Sequence, residues 1–537
     1  MKKLFITLSI ALAASASMFA GEPVKVAIHE NDAAGEIISP EIYGQFSEHL
    51  GSCIYGGIWV GKDSPIPNIE GYRLDVFNAL KDLKVPVLRW PGGCFADDYH
   101  WMDGIGPQEQ RTNICNNNWG GTIEDNSFGT HEFLNFCELL GTEPYISGNV
   151  GSGTVKEMAD WIEYMTSDSQ SDMANLRRKN GRDKPWHVKY FGVGNECWGC
   201  GGQMRADYYV DVYRRYANYL RNYYPNFIYK IASGASDYDY NWTETLMKGV
   251  GTQMHGISLH YYSVRNWDDK GSATNFTPVE YYQILSKAIG IEEVVQKHVA
   301  IMDEIDPEGK VDLLVDEWGT WFNVEPGTNP GHLFQQSTMR DAMVAALTLN
   351  IFHKYARRVK MTNIAQVVNV LQAMILTKGD QMVLTPTYHV FKMYNVHQGA
   401  EVIPVDYTTD IIGVDGAHKA GVASFNDDTT PALSVTASRK EGVINVDLVN
   451  TDLENCQKIL LTWDNMNNTV QKGGKTKAVK PAATVEGQIL SAKNIDDYNH
   501  FGEAAAVAPQ AYTDFKVTKE GIEITIPAHS IIALSIK

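Results

Sequence analysis

The sequence predicts an α/β protein in which a (β/α)8 TIM barrel is followed by an antiparallel, jelly-roll-like β-sandwich. Three observations support this fold class. Short apolar runs alternate with longer amphipathic stretches from about residue 42 to residue 374. These runs form eight strand-then-helix units, which is the number that closes a parallel barrel. After about residue 387, short apolar runs follow one another with Gly, Asn, Asp and Lys between them, as is typical of a sandwich.

A doubly wound open sheet is the competing architecture. It usually carries a G-x-G-x-x-G phosphate loop after its first strand, and the sequence has none there. The predicted barrel strands are 42–46, 85–90, 143–148, 189–194, 229–233, 256–262, 311–316 and 364–371. Helical periodicity marks the stretches between them, among which are 72–83, 130–140, 155–166, 206–223 and 335–355.

Three segments describe the predicted domain organisation. A signal peptide occupies 1–20, the barrel spans 38–386, and the sandwich spans 387–537. A strand at 24–28, within the segment of about 22–37, can join the sandwich rather than the barrel. The other predicted sandwich strands are 432–438, 442–450, 457–464, 515–518, 521–526 and 531–536.

The composition excludes several classes of protein. Hydrophobic residues make up 44% of the chain and charged residues 20%, which argues against disorder. The net charge of -18 repels phosphate backbones, so we expect no nucleic-acid partner. Lys2, Lys3 and the apolar stretch 4–14 resemble a secretory signal, and no later apolar run is long enough to span a membrane. We therefore expect a protein without a membrane anchor, exported to a bacterial periplasm or beyond.

Seven cysteines leave at least one thiol unpaired within the chain. Cys197 and Cys200 form a lone C-x-x-C, for which a local disulfide is one interpretation and a zinc knuckle a poor one. The histidines have no H-x-x-x-H spacing. We therefore predict no metal and no cofactor.

Two carboxylates follow predicted barrel strands. Glu196 follows the fourth strand and Glu317 follows the seventh, so both should reach the catalytic rim, where TIM barrels place their active sites. Glycoside hydrolysis needs such a pair, with one carboxyl group protonated and the other ionised. For either residue alone, a strand-end salt bridge is an equally good interpretation.

Other strand ends carry hydrogen-bonding and aromatic groups of the kind that hold sugar hydroxyls and stack on sugar faces. Arg89 could instead be a core cation paired with Glu48 or Glu196, and Cys94 could be a buried thiol. These candidates are Glu48 after strand one, Arg89 and Cys94 on and after strand two, Asn195 beside Glu196, His260 and Tyr262 on strand six, and Gln366 on strand eight.

Four segments together resemble glycoside hydrolase family 51, the α-L-arabinofuranosidases: LRWPGGCFADDYHWMDGIGP (88–107), FGTHEFLNFCELLGTEPYISGNVGSGT (128–154), FGVGNECWG (191–199) and LLVDEWGTW (313–321). The likeness runs from about residue 42 to residue 372, and the β-rich C-terminal region fits the family's sandwich. The resemblance implies a retaining mechanism with Glu196 as acid/base and Glu317 as nucleophile.

The resemblance also assigns sugar contacts. Glu48, Asn195, Tyr262 and Gln366 match residues that surround the sugar in this family. Cys94 stands where the family's P-G-G-N motif has asparagine, which changes one expected sugar contact. Candidates for the wall of the pocket are Trp101, Trp198 and Trp321.

The implied activity is exo-acting release of terminal arabinofuranose from arabinose-containing plant polysaccharides or oligosaccharides. The family is commonly oligomeric, so homo-oligomers are expected. An endo-acting β-glucanase or xylanase on the same scaffold is one alternative. A carbohydrate-binding protein without catalysis is another, although such a protein has no need for a protonated carboxyl group.

Overall fold

The computed structural model of the chain describes residues 22–414, 428–464, 469–472, 475–478 and 484–537, with the two short segments described as backbone only. The predicted signal peptide over 1–20 therefore lies outside the described residues. Within the described ranges, no helix combines the length and apolarity that a membrane crossing requires.

Eight parallel strands close into a barrel, and the predicted fold class is confirmed. The first strand pairs with both the second and the eighth, which completes the ring. In chain order the barrel strands are Gly44–Phe46, Val87–Trp90, Glu143–Gly148, Tyr190–Val193, Tyr229–Ser236, Gly256–Ser263, Asp312–Thr320 and Val359–Ala365.

The last two barrel strands differ from the prediction. The seventh strand continues to Thr320, so Glu317 lies within it rather than after it. The eighth strand is Val359–Ala365, and the prediction of 364–371 was displaced toward the C terminus. The predicted run is mostly the loop after that strand, whose Val367, Val368 and Val370 are fully buried. A buried loop is as apolar as a buried strand, and periodicity cannot separate the two.

Helices surround the barrel, and capping residues fix several of their ends. The helix Thr130–Leu140 ends at Gly141, whose φ of 76° suits glycine. The helix Met339–Lys354 begins four residues later than predicted because Thr338 caps it, with the Thr338 amide donating to Asp341 Oδ2 at 2.8 Å. The α-helices are Leu74–Leu83, Thr130–Leu140, Val155–Thr166, Asp172–Lys179, Ala206–Tyr219, Tyr240–Gly249, Pro278–Ile305, Met339–Lys354 and Pro386–Tyr394.

The C-terminal region forms two sheets around a separate apolar core. In spatial order, one sheet contains Glu401–Val402, Leu433–Lys440, Val443–Asn450, Ser530–Ile536, Val485–Leu490 and Gln510–Ala511. The other contains Val405–Tyr407, Val24–Ile28, Gln457–Trp463, Ile522–Ile526 and Phe515–Val517. Further antiparallel strand pairs among the described residues are Asn68–Ile69 with Tyr72–Arg73, Ile114–Asn116 with Thr122–Glu124, Ile375–Lys378 with Gln381–Leu384, Ile411–Gly413 with Thr429–Pro431, and Thr469–Lys472 with Lys475–Ala478.

The strand Val24–Ile28 belongs to the second of these sheets. It pairs antiparallel with Val405–Tyr407 and parallel with Gln457–Trp463, which makes one parallel pairing in the described part of the sandwich. The helix Pro386–Tyr394 begins at the predicted domain boundary and packs on the barrel, where the Phe391 ring stacks on Trp318. The boundaries at 38–386 and 387–537 remain a prediction.

Candidate active site

A cavity of about 70 Å³ opens among the loops and strand ends at the C-terminal side of the barrel. It is lined by both predicted catalytic glutamates and by five of the predicted substrate-binding residues, Glu48, Cys94, Tyr262, Gln366 and Trp321. Its lining residues are Glu48, Leu50, Gly93, Cys94, Trp119, Glu196, Tyr262, Glu317, Trp321, Leu333, Gln366 and Leu371.

Glu317 is held from two sides. Arg89 Nη1 donates to its Oε1 at 2.9 Å, and the Tyr262 hydroxyl donates to its Oε2 at 2.8 Å. The carboxylate is 6% exposed, so these bonds act in a medium that screens charge poorly. These two donors fix the orientation of the Glu317 carboxylate in the cavity.

Glu196 faces Glu317 from the loop that follows the fourth strand. Its backbone has a φ of 41°, in the left-handed region that few non-glycine residues occupy. Two turn bonds hold this conformation, since Gly199 N and Gly201 N donate to the Glu196 carbonyl at 2.7 and 3.1 Å. Carboxylate oxygens of Glu196 and Glu317 lie within 4.8 Å of each other. The two carboxyl groups therefore share one small space.

His260 connects the two carboxylates. Its Nδ1 lies 2.8 Å from Glu196 Oε1 and 3.6 Å from Glu317 Oε2, and its Nε2 lies 3.2 Å from Asp316 Oδ1. Burial opposes protonation of the imidazole, but the charge of Glu317 and the contacts with Asp316 and Glu196 outweigh it and raise the pKa of His260 to about 10. His260 is therefore a cation at neutral pH.

Asp316 was not singled out from the sequence, although it supports both cations of the site. Burial opposes its ionisation, but the charge of Arg89 and the contacts with His260 and Tyr145 lower its pKa. The Tyr145 hydroxyl donates to Asp316 Oδ2 at 2.7 Å. In the sequence, Asp316 looked like the last residue of an apolar strand. Only the barrel closure places it between Arg89 and His260.

This cation gives a testable pH dependence of stability. An imidazole whose folded pKa is raised stabilises the fold fully below its unfolded pKa of about 6.5, and this stabilisation is lost as the pH rises toward about 10. The unfolding free energy of the protein minus that of His260→Gln should therefore fall between pH 6.5 and 10, by at most ~1.4 kcal/mol per pH unit. Urea unfolding at several pH values measures it. His187→Gln, which replaces an exposed histidine, serves as the matched control. The assignment is contradicted if the free-energy difference for His260→Gln changes with pH no more than the difference for His187→Gln.

Glu48, which follows the first barrel strand, also lines the cavity and accepts four hydrogen bonds. The Gly93 and Phe95 amides and Trp119 Nε1 donate to its Oε1 at 2.9, 3.2 and 2.9 Å. Gln366 Nε2 donates to its Oε2 at 2.8 Å. Burial and then the charge of Glu317 raise the pKa of Glu48 to about 7, although the hydrogen bonds act in the opposite direction. The site can therefore hold a proton on Glu48 near neutral pH, which limits repulsion between its carboxylates.

Glycine is required at both positions after the second strand because two carboxylate side chains approach the backbone there, and not only because the chain turns. A Cβ on Gly93 would lie 2.9 Å from Glu317 Oε1, and one on Gly92 would lie 2.6 Å from Glu48 Cγ. Side chains at these positions would displace the two carboxylates.

Most of the chain matches two descriptions of arabinofuranosidase domains. Residues 79–295 match the description "Alpha-L-arabinofuranosidase 1 domain", and residues 316–530 match "Alpha-L-arabinofuranosidase C-terminal domain". A protein of Bacteroides ovatus named "Intracellular exo-alpha-L-arabinofuranosidase" is 57% identical over 539 residues, which cover 100% of both chains. The chain belongs to the family 51 α-L-arabinofuranosidases. This confirms the family and the glycosidase activity that the sequence predicted.

Solved structures of the family agree with the fold of this arabinofuranosidase. The GH51 arabinofuranosidase from Xanthomonas axonopodis pv. citri is 47% identical, with a TM-score of 0.89, over 96% of this chain and 100% of that one. An α-L-arabinofuranosidase from Thermotoga maritima in an arabinose complex is 28% identical, with a TM-score of 0.79, over 95% of this chain and 99% of that one.

The prediction of an exported protein is wrong. The relative that is 57% identical over the whole length of both chains carries the word intracellular in its name, which points against a periplasmic or extracellular location. The prediction depended only on a short basic and apolar pattern at residues 2–14, whereas the relative matches the chain over its full length.

The other predicted sugar contacts of this family 51 protein take different places. Arg89 and Asn195 lie buried beside the cavity rather than among its lining residues, and Arg89 Nη2 donates to Asn195 Oδ1 at 2.5 Å. Arg89 pairs with Glu317, and not with Glu48 or Glu196 as the sequence also allowed. Both residues are therefore placed to orient the groups that line the pocket.

The three candidate tryptophans are in three environments. Trp321 lines the cavity and packs edge-on against Tyr262 at 5.0 Å between ring centres. Trp198 is half-buried in the loop after Glu196, and its buried Nε1 has no partner among the described residues. Trp101 does not line the cavity, contrary to the expectation that it forms part of the pocket wall. It is buried against Trp161, because its indole fills the space beside the helix Val155–Thr166 and donates to the Glu157 carbonyl at 3.0 Å.

Trp119 is a cavity-lining tryptophan that was not singled out from the sequence. It lies between the strands of the hairpin formed by Ile114–Asn116 and Thr122–Glu124, and it both lines the cavity and donates to Glu48. An aromatic residue inside the polar run NNNWGG was the available signal.

The cysteines pair differently from the local interpretation. Cys200 forms a disulfide with Cys94, whereas Cys197 is a buried thiol whose pKa burial raises. Among the described residues, two groups place possible metal ligands within 4.8 Å: Cys94, Glu196 and Cys200, and Glu196, His260 and Glu317. The disulfide leaves the first group without thiolates, and in the second His260 Nδ1 already contacts Glu196 Oε1 at 2.8 Å.

Proposed function

We propose that this protein is an exo-acting, retaining α-L-arabinofuranosidase that releases terminal arabinofuranose from arabinose-containing oligosaccharides or polysaccharides. The observation that carries the proposal is the approach of Glu196 and Glu317 oxygens to within 4.8 Å. Retaining glycosidases hold their carboxyl groups ~5–5.5 Å apart, and inverting ones ~6.5–9.5 Å, which leaves room for a water. The short separation supports direct attack by a carboxylate.

In the first step, Glu317 acts as the nucleophile. Its oxygen forms a bond to the anomeric carbon while the bond from that carbon to the leaving oxygen breaks and Glu196 transfers its proton to that oxygen. Arg89 and Tyr262 stabilise the charge of Glu317 before attack. The products are a sugar ester on Glu317 and the free alcohol.

In the second step, the roles of Glu196 and Glu317 reverse. The ester has no negative charge, and Glu196 now takes a proton from water as the water oxygen bonds to the anomeric carbon. The carbon–oxygen bond to Glu317 breaks, which releases arabinose with its original configuration. His260, bound to Glu196 Oε1 at 2.8 Å, fixes the orientation of this carboxyl group through both steps.

The remaining lining residues support recognition of one terminal sugar. Glu48 and Gln366 offer hydrogen-bonding groups from the ends of the first and eighth strands, while Trp119 and Trp321 supply aromatic faces. A cavity of about 70 Å³ is too small for several sugar units of a polymer backbone, which supports a site for one terminal sugar. These features favour the exo-acting alternative over an endo-acting β-glucanase or xylanase.

The name of the Bacteroides ovatus relative favours action inside the cell. A protein located there meets short sugars more readily than intact wall polymers, so oligosaccharides are the proposed natural substrates. Homo-oligomers remain a prediction, which size-exclusion chromatography with light scattering tests. We propose no nucleic-acid partner, given the net charge of -18.

The test of the proposed function is a panel of aryl glycosides followed by product analysis. We expect release of 4-nitrophenol from the α-L-arabinofuranoside and at most traces from the β-xyloside and β-glucoside. From arabinan and arabinoxylan we expect free arabinose as the product, and NMR during turnover should show the α-anomer first. Internal cleavage into oligomers would support the endo-acting alternative, inversion would exclude the mechanism, and binding without release would indicate a carbohydrate-binding protein.

A further inference from the structure

The disulfide Cys94–Cys200 lies directly against the proposed acid/base. Cys200 Sγ is 3.5 Å and Cys94 Sγ is 4.0 Å from Glu196 Oε2. These are packing contacts, because a disulfide has no hydrogen to donate. The carboxyl group of Glu196 is thus confined between His260, which binds Oε1, and the two sulfur atoms, which contact Oε2.

The same disulfide joins two active-site loops. Cys94 begins the short 3-10 helix Cys94–Asp98 after the second barrel strand, and Cys200 lies in the loop after the fourth. The near end of the second loop is anchored separately, since the Asn195 amide donates to Asp97 Oδ2 at 2.7 Å. The disulfide therefore fixes the loop that carries Glu196 at Cys200, on the C-terminal side of Glu196.

The part of this loop around Cys200 matters because its amides hold the backbone conformation of Glu196. The left-handed conformation of that residue is held by the amides of Gly199 and Gly201, which flank Cys200. Non-glycine residues adopt such a conformation at a cost, so it persists only where the surroundings enforce it. If the loop moves away from Cys94, these two turn bonds and the wall beside Oε2 weaken together.

The pair is also accessible to small thiols. Cys200 is exposed and Cys94 is half-buried at the cavity, whereas Cys53, Cys137 and Cys197 are buried free thiols. Disulfides in reducing compartments are usually transient and redox-sensing. An exposed disulfide at a catalytic carboxyl group, in a protein whose relative is named intracellular, has the placement of such a sensor.

We propose that Cys94 and Cys200 are redox-responsive positioning residues that couple the acid/base step to the thiol redox state. The inference rests on the proposed role of Glu196. A dithiol reductant gives up two electrons and two protons, the sulfur–sulfur bond breaks, each cysteine becomes a thiol, and the reductant becomes a disulfide. A small-molecule disulfide such as oxidised glutathione reverses the reaction. The oxidised form positions Glu196, and the reduced form protonates the leaving oxygen less efficiently.

The effect of reduction should depend on the leaving group. A 2,4-dinitrophenyl arabinofuranoside needs little protonation as it leaves, whereas an alkyl arabinofuranoside needs full protonation. We expect reduction to lower kcat/KM about tenfold for the alkyl substrate and less than twofold for the dinitrophenyl substrate, since the Asp97 bond still holds Asn195. A general loosening of the fold would slow both substrates equally.

The experiment compares oxidised and dithiothreitol-reduced protein. Alkylation of the denatured chain should count five thiols before reduction and seven after it. The Cys94→Ser/Cys200→Ser variant should behave as the reduced protein in both buffers. The exposed Cys456→Ser is the matched control, and it should keep the full response. Oxidised glutathione should restore the wild type but not the double variant.

Two results would overturn the proposal, and both differ from a failure of the proposed function. Seven thiols in protein held under oxidising conditions would show that the pair does not form. An equal dependence on leaving group in both redox states would show that the pair does not position Glu196. The role of Glu196 itself is tested by Glu196→Ala, which must show a leaving-group dependence whatever the redox state.

Discussion

Replacing Glu317 by alanine is expected to lower kcat on aryl α-L-arabinofuranosides by on the order of 10⁴-fold or more, because no other group can form the sugar ester. Such a loss corresponds to about 5.4 kcal/mol of transition-state stabilisation. The neighbouring carboxylates are already engaged, since Glu196 contacts His260, Asp316 binds Tyr145 and Glu48 accepts four hydrogen bonds. Steady-state kinetics with the 4-nitrophenyl substrate measure the effect.

Controls for the Glu317 variant separate chemistry from folding. Glu317→Gln keeps the side-chain shape and an oxygen for Arg89, so its thermal unfolding curve should stay cooperative while its activity is lost. Glu523→Ala changes an exposed glutamate of the sandwich and should leave kcat unaltered. Added azide should not restore a retained product with Glu317→Ala. Near-normal turnover by either Glu317 variant would remove this residue from the mechanism.

Replacing Glu196 by alanine is expected to divide substrates by their leaving group. General acid catalysis contributes ~10²–10⁴-fold, so the alkyl arabinofuranoside should lose activity in that range. The dinitrophenyl substrate should still glycosylate Glu317 at close to the normal rate, with a burst of phenol before slow hydrolysis of the ester. Stopped-flow absorbance measures the burst, and the steady state gives the second step.

Added azide provides an independent test of the role of Glu196 in the Glu196→Ala variant. It needs no deprotonation, so it should react with the sugar ester, restore turnover and give an arabinosyl azide with the configuration of the substrate. Equal losses for good and poor leaving groups, or an azide product of opposite configuration, would assign the acid/base role elsewhere. Glu523→Ala again serves as the control.

The sequence predicted the barrel well because its signals are local. Strand runs such as 143–148 and the helix 155–166 are bounded by turn and capping residues, and the structure reproduces both. The eighth strand was misplaced because a fully buried loop around Val367 has the same apolar composition as a strand. An apolar composition indicates that a segment is buried, but it does not indicate whether the segment hydrogen-bonds to neighbouring strands.

The candidate site was predicted in part for a related reason. Glu196 and Glu317 could be found because each ends or nearly ends an apolar strand, and all barrel strands point to one rim. Asp316 and Trp119 acquire their roles only through contacts between distant segments, which no local pattern encodes. Cys94 and Cys200 are 106 positions apart, and the adjacent Cys197 made a shorter pairing look attractive.

The position of Val24–Ile28 has a consequence for how the protein is made. Thr462 donates to the Val26 carbonyl across 436 positions of sequence, so this early strand has both of its final neighbours, Val405–Tyr407 and Gln457–Trp463, only after most of the chain has left the ribosome. At ~5–20 residues per second, the wait is roughly 20 to 90 s. During that time the barrel segments can close by nearest-neighbour pairings. Completion of the sandwich is therefore a post-translational event, and a chain truncated before Gln457 would leave an apolar strand edge available for aggregation.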